Sequence, residues 1–301
     1  GPGEVRYVGG ASTTVNRISG SFASDSTLTN SADHTIRAFD FANLGFGTIN
    51  IDNQGLIVAD GSGANAGELV VDGRNTAGIS VTNTGIMRAE NGGTLTLSGS
   101  GGDALDNSGG IIEALDTSVV RLASGVRIAG GTLQAQGSGE FRTGVSATIA
   151  DLILDAPLRI TNNTTLTASG TIQNLGSITL DNAGNNTVLF LGDDLTLTGP
   201  GEVRYVGGTS TSINRIDGAF SADNTLTNTA AHTIRAFDSA NLGFAAVNID
   251  NQGLIVADGS GATPGELIVN GRSSSGVTVT NTGTMRAENA GTLTLSGSGG
   301  G

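Results

Sequence analysis

The side chains able to do chemistry are few in this chain, and they are widely spaced. Its two histidines, His34 and His232, each open the same heptapeptide, His-Thr-Ile-Arg-Ala-Phe-Asp. With no second imidazole near either one, a metal site built on histidine spacing is excluded, and each reads as a surface or corner residue. Cysteine is absent, which removes thiol nucleophiles, disulfides and cysteine metal sites. No serine sits in a Gly-x-Ser-x-Gly elbow, and no glycine-rich loop ends in the lysine that would hold a phosphate. The one adjacent pair of acids is Asp193-Asp194, in Leu-Phe-Leu-Gly-Asp-Asp-Leu-Thr-Leu. It reads as solvated corner charge that keeps a neutral strand surface soluble.

The overall balance narrows the classes further. All 14 basic residues are arginine, set against 27 acids for a net charge of −13. An acidic chain without lysine has no footprint for a phosphate backbone, so nucleic acid is not an expected partner. An apolar content of 37% is too high for a disordered acidic tail. No apolar run is long enough to cross a bilayer, so membrane insertion is not expected. The chain opens without methionine or a signal-like segment. Gly1-Pro2-Gly3 returns as Gly199-Pro200-Gly201, which points to a window cut from a longer repetitive polypeptide.

Self-comparison dominates everything else. Residues 1–103 match 199–301 without a gap, with 77 identities in the 103 pairs. Most differences are small exchanges, such as Val15 with Ile213 or Gly92 with Ala290. The expected organisation is therefore one full unit over 1–198 and the first half of a second copy over 199–301, forming one continuous solenoid. Duplication also weighs against an active site, because any site built from residues 1–103 would occur twice.

A shorter period lies inside the unit. Asn-x-Gly recurs at Asn53 and Gly55, Asn83 and Gly85, Asn107 and Gly109, and Asn174 and Gly176. In the second copy it returns at Asn251 and Gly253 and at Asn281 and Gly283. Short β-rich pieces flank each of these, and eight sub-repeats of about 25 residues would fill the unit. In Gly-Thr-Leu-Thr-Leu-Ser-Gly (93–99) apolar and polar residues alternate with a period of two, and no stretch keeps a helical period. Helical repeat classes therefore fail.

The remaining fit is an all-β parallel β-helix of about 12 coils of roughly 25 residues. Asn and Gly suit its corners because they tolerate positive φ, and an Asn repeated at one corner can bond the coils above and below. Inward Leu, Ile, Val and Ala would line a narrow core, each contributing about 1.5–3 kcal/mol. Phe39, Phe46, Phe237 and Phe244 would fill its wider parts. At a strand spacing of about 4.8 Å, one eight-coil unit would advance about 38 Å. A string of β-sandwich domains is the competing architecture, but it has no need of an Asn-x-Gly at this interval. Arg6, Arg17, Arg37, Arg74 and Arg88 recur at 204, 215, 235, 272 and 286. They read as register and solubility devices, paired to an acid on the next coil or lying at a lateral contact.

The runs Gly-Gly-Thr-Leu-Thr-Leu-Ser-Gly-Ser-Gly-Gly (92–102) and Val-Thr-Asn-Thr-Gly-Ile-Met-Arg-Ala-Glu-Asn-Gly-Gly-Thr-Leu-Thr-Leu (81–97) resemble the right-handed β-helical passengers of autotransporters and filamentous-haemagglutinin-type bacterial exoproteins. That resemblance implies an extracellular or cell-surface structural protein. Its role would be a fibre, adhesin stalk or surface layer, with copies associating end to end or laterally, and a surface glycan or cell-surface receptor as a further partner. It implies no enzyme and no cofactor. Two alternatives remain open. One is a glycan-binding or glycan-cleaving β-helix, whose clustered acids would take Ca²⁺. Gly-Ser-Gly-Gly-Asp-Ala-Leu-Asp-Asn-Ser-Gly-Gly (99–110) is similar to the Ca²⁺-binding nonapeptide of repeats-in-toxin proteins, but lacks its spacing and does not recur. The other is an ice-binding solenoid, suggested by Thr-x-Thr pairs such as 94–96 and 292–294 but present on only about half of the coils.

Overall fold

The computed structural model describes residues 1–11, 15–21, 26–64, 67–73, 79–99, 104–123, 125–219, 223–245, 247–262, 265–270 and 277–297. They form two compact units, Gly1–Thr148 with Asp155–Pro157, and Ile149–Leu154 with Leu158–Gly301. Both are built as parallel β-helix, and no helix occurs among the described residues.

In the first unit three strands make one turn, and each strand pairs in parallel with the strand one turn later. The first face stacks Gly3–Tyr7, His34–Ala38, Leu56–Asp60, Ile86–Glu90, Ile111–Ala114 and Thr132–Ala135. The second stacks Asn16–Ser19, Ala42–Phe46, Glu68–Asp72, Thr94–Ser98, Val119–Ala123 and Glu140–Thr143. The third stacks Ser26–Asn30, Ile49–Asn53, Val81–Asn83, Leu105–Asp106 and Arg127–Ala129. Partners along the first face lie 31, 21, 30, 25 and 21 residues apart. The period is thus less even than a constant 25. Backbone bonding fixes the strands and their pitch, whereas the corners lie outside the ladder and absorb the surplus residues.

Stacking in register sorts side chains into columns. Ile36, Ile57, Met87, Ile112 and Leu133 form one buried column, and Ala38, Ala59, Ala89 and Ala114 form another beside it. The second unit repeats this with Ile178, Val203, Ile234 and Ile255, beside Leu180, Tyr205, Ala236 and Ala257. Its strand Thr187–Thr198 runs through a corner and serves two faces. The early part pairs with Asn214–Asp217, and the late part pairs with Asn224–Asn228. Asp193 and Asp194 occupy that exposed corner. Asp193 Oδ1 accepts the Asp194 N–H at 2.9 Å, and Asp194 Oδ1 accepts the Thr225 N–H of the following coil at 2.7 Å. The acid pair pins two coils together.

The four phenylalanines lie elsewhere than expected. Phe39, Phe46, Phe237 and Phe244 are half-buried, under the guanidinium groups of Arg6, Arg17, Arg204 and Arg215 at 4.5–4.8 Å from the ring centroids. Ala38 and Asp40 face inward, so strand alternation turns Phe39 out. At Phe46 a register shift opposite Ser19 and the positive φ of Gly45 (104°) interrupt the alternation. Among the described residues Tyr205 and Phe141 are the bulkiest fully buried side chains instead.

Glycine also acts differently from expectation at most Asn-x-Gly corners. Of Gly55, Gly85, Gly109, Gly176, Gly253 and Gly283, only Gly109 has positive φ (81°). Close approach is the reason for Gly55, Gly85, Gly253 and Gly283. A Cβ on Gly55 would strike the carbonyl oxygen of Ser31, and one on Gly85 that of Gly55. In the second copy, Gly253 and Gly283 meet the oxygens of Thr229 and Gly253 in the same way. Gly85→Ala is therefore expected to cost several kcal/mol, on the order of 3, because backbone must move. Gly109→Ala, with nothing within 4 Å of its Cβ, should cost only about 1 kcal/mol for left-handed φ. Urea midpoints of the two variants measure the difference, and equal costs would refute the close-approach account.

Candidate functional site

The asparagines that sequence reading singled out stack at a corner within each unit, and in the first unit that corner lies at the end of the third face. In the first unit Asn30 Nδ2 donates to Asn53 Oδ1 at 2.7 Å, Asn53 Nδ2 to Asn83 Oδ1 at 2.6 Å, and Asn83 Nδ2 to Asn107 Oδ1 at 2.6 Å. All four amides are buried, with exposures of 0–2%. The second amide hydrogen of each is directed at a carbonyl of the next coil, as from Asn53 to Ile86 O at 3.2 Å and from Asn83 to Ile111 O at 3.2 Å. The ladder stops after Asn107, whose Nδ2 turns to Gly130 O at 3.3 Å.

The backbone explains the Gly of the motif. Residues x and Gly both send their N–H groups to the Asn carbonyl one coil earlier. Thr84 and Gly85 do so to Asn53 O at 2.8 and 3.0 Å, and Gln252 and Gly253 to Asn228 O at the same distances. Leu175 and Gly176 donate together to Leu154 O at 2.8 and 3.2 Å. At Gly85 and Gly253 two donors on one oxygen draw the chains together until a Cβ no longer fits. At Asn107 the corner is one residue longer, so Gly110 makes the close approach and Gly109 is left to turn the chain.

In the second unit the ladder runs Asn228 to Asn251 at 2.7 Å and Asn251 to Asn281 at 2.6 Å. Asn174 lies beyond it, separated by the coil that carries Gly199-Pro200-Gly201 and offers no amide. His232 spans the gap. Its Nδ1 is 2.7 Å from Asn228 Oδ1, and its Nε2 is 3.0 Å from Asn174 Nδ2. An amide oxygen only accepts, so Nδ1 carries the proton and Nε2 accepts from Asn174. His232 is fully buried, and burial depresses its pKa to about 4. In the first unit His34 Nδ1 caps Asn30 Oδ1 at 2.8 Å.

Sequence reading missed Asn30 and Asn228 as ladder members, and both histidines as their bonding partners. The available signal was Asn followed four residues later by His, present in both copies. It also missed the reach of the arginines. Arg37 binds Glu4 at 3.1 Å one coil back, Asp60 at 2.6 Å one coil on, and Glu90 two coils on. Arg235 repeats this with Glu202 at 2.8 Å, Asp258 at 2.8 Å and Glu288. Burial alone would raise the Asp60 carboxyl, but hydrogen bonds from Ser62, Asn91 and Arg37 outweigh it and hold the group at about 2. Asp258 is likewise held at about 2, chiefly by Asn289. Arg74 and Arg272 lie outside the described residues.

Chemically, these groups are arranged to bond one another along the stack. Histidine, asparagine and the buried acids direct their polar atoms at neighbouring coils. Among the described residues no group of three or more His, Asp or Glu is placed to hold a metal ion. Neither protein-family models, curated proteins nor solved structures provide a match to the chain.

Two predictions follow from the ladders. Asn83→Ala leaves an amide hydrogen of Asn53 and the Asn107 oxygen unpaired in a buried site, at an expected cost of about 2–4 kcal/mol. Asn281→Ala, at an exposed coil where water can substitute, should cost less than about 1 kcal/mol. Urea unfolding of the two variants tests this ranking. For His232 the folded pKa lies below the ordinary 6.5, so its contribution is complete above pH 6.5 and is lost as pH falls towards 4. Asp60 and Asp258 follow only as pH falls from 3.8 towards 2. Wild-type protein should lose stability between pH 6.5 and 4.5, and His232→Gln should flatten that step. An unchanged profile in the variant would show that His232 is not its source.

Proposed function

We propose that this chain is a structural segment of an extracellular, highly repetitive surface protein, of the kind that forms a fibre, adhesin stalk or surface layer. The observation that carries this reading is the duplication of outer features in matching geometry. Arg6 over Phe39 at 4.7 Å returns as Arg204 over Phe237 at 4.8 Å, and the Arg37 cluster returns around Arg235. A surface that repeats offers any lateral contact more than once, and weak contacts made together add through effective concentration. Stability that accumulates from neighbouring coils suits a mechanical role, because each coil is held by the ones above and below it. The location rests on the resemblance to secreted β-helical exoproteins, and the absence of cysteine is compatible with it.

Antibodies raised against the chain supply the test. They should label the surface of intact, unpermeabilised cells of the organism that makes it, and should decorate extended material at an interval near the 38 Å expected for eight coils. Label that appears only after permeabilisation would overturn the reading.

A further inference from the structure

The corner that follows Ile86–Glu90 is the tetrapeptide Glu90-Asn91-Gly92-Gly93. Gly93 N–H donates to Glu90 O at 2.9 Å, and Asn91 (φ 55°) and Gly92 (φ 77°) both lie in the left-handed region, as in a mirror-image turn. Both residues are exposed. Two contacts hold the turn from neighbouring coils. Asn91 Nδ2 donates to Oδ1 of the buried Asp60 at 3.0 Å, one coil back, and Gly92 N–H donates to Oγ of the fully buried Ser118 at 3.0 Å, one coil on. The second copy builds the same turn from Glu288-Asn289-Ala290-Gly291, with Asn289 Nδ2 on Asp258 Oδ1 at 3.0 Å. Ala290 adopts φ 63° there, and a Cβ on Gly92 would meet only Thr117 Oγ1, at 3.8 Å. Packing therefore does not require glycine at position 92.

An asparagine followed by glycine carries its own nucleophile. The Gly92 nitrogen can attack Asn91 Cγ, because no Cβ on the following residue crowds the approach. The new bond runs from Gly92 N to Cγ and closes a cyclic imide. The Gly92 N–H proton passes to solvent, the Cγ–Nδ2 bond breaks, and ammonia leaves with a proton from water. Water then adds to either carbonyl of the imide and opens it. The product is aspartate at 91, or an isoaspartyl link in which the main chain runs through Cγ. Water enters, ammonia departs, and nothing is oxidised or reduced. In the folded turn both reacting groups are occupied. The attacking nitrogen has its hydrogen on Ser118, and the amide that must leave is held by Asp60. Reaction requires the corner to open far enough to release both, a local event that need not unfold the unit.

We propose that Asn91-Gly92 is a self-modifying site, at which spontaneous deamidation is gated by the stacking of three coils. With Asp60 and Ser118 in place the turn is inert, and once the corner opens it converts. Conversion runs one way. The product sets a carboxylate where Nδ2 donated to Asp60, so two acceptors of like charge face each other and the contact does not re-form. An isoaspartyl link also adds a methylene to the main chain, at a turn whose Glu90 carbonyl serves both Gly61 and Gly93. The corner thus keeps a covalent record of having been opened, and the second copy carries the slower Asn-Ala sequence at the same place. The site belongs to the first unit alone and does not depend on an extracellular role.

Mass spectrometry of the purified full chain after incubation at neutral pH tests this. Trypsin, cutting after Arg88 and Arg121, releases the segment 89–121, and fragmentation places the amide-to-acid mass gain within it. Conversion at Asn91 should be about tenfold or more faster in urea above the unfolding midpoint than in buffer. Ser118→Ala frees the Gly92 N–H and should speed conversion several-fold in buffer, with the rate in urea unchanged. Gly92→Ala should retain the wild-type circular dichroism, as Ala290 indicates, and convert slowly in both conditions. Asn91→Asp should lower the urea midpoint, and an unchanged midpoint would refute the one-way step. Equal wild-type rates in buffer and in urea would remove the gate. Conversion at Asn107 in place of Asn91, or undiminished conversion in Gly92→Ala, would overturn the site itself. Should Ser118→Ala fail to fold, the wild-type comparison between buffer and urea decides alone.

Discussion

A primary amide together with one hydrogen bond is as long as the step between two stacked strands, and the architecture of this chain depends on that coincidence. Parallel strands repeat at about 4.8 Å. A side chain carrying one acceptor and one donor group can therefore accept from the coil behind and donate to the coil ahead, without end. Asparagine meets this requirement, whereas a carboxylate can only accept and would face another acceptor. The fit also sets the pitch at a corner where the coils themselves differ between 21 and 31 residues. Surplus residues are expelled sideways, away from the column of amides. The close packing of Gly55, Gly85, Gly253 and Gly283 follows, because each glycine shares the carbonyl beneath it with its neighbour.

The coil holding Gly199-Pro200-Gly201 breaks this rule and shows what is needed to repair it. Two steps separate Asn174 from Asn228, more than an amide can bridge. An imidazole has nitrogens on opposite sides of a flat ring, and it fills the double step while still accepting at one end and donating at the other. The repair confines His232 to its neutral form, because a charged ring would be buried and would present a donor to a donor. Arginine bridges the outer surface in a comparable way. The fork of Arg37 reaches coils on both sides at once, which a shorter cation could not do.

Much of this could be read from the amino acids alone, and the rest was hidden for physical reasons. Alternation in residues 93–99 and the recurring Asn-x-Gly point directly to stacked strands with polar corners, because both are local patterns. Asn30 and Asn228 escaped notice because Ser-Ala and Thr-Ala follow them and no glycine marks the corner. The partners of Arg37 were hidden by unequal coil lengths, since Asp60 and Glu90 lie 23 and 53 residues away and no fixed offset locates them. Phe46 and Phe244 lie outside the interior because positive φ at Gly45 and Gly243 turns the strand just before them, which residue type does not announce. Tertiary spacing was the missing information for Arg37, whereas for Asn30, Asn228, Phe46 and Phe244 it was the local course of the backbone at the corner.

The amides in each ladder all point the same way. Nitrogen leads and oxygen trails from Asn30 to Asn107, and again from Asn228 to Asn281. Their dipoles consequently add in series, and each bond polarises the next. The protein thus contains a vector written in side chains, parallel to the direction in which the backbone climbs. Such a column cannot be reversed in part, because a single inverted amide would set two hydrogens or two lone pairs face to face.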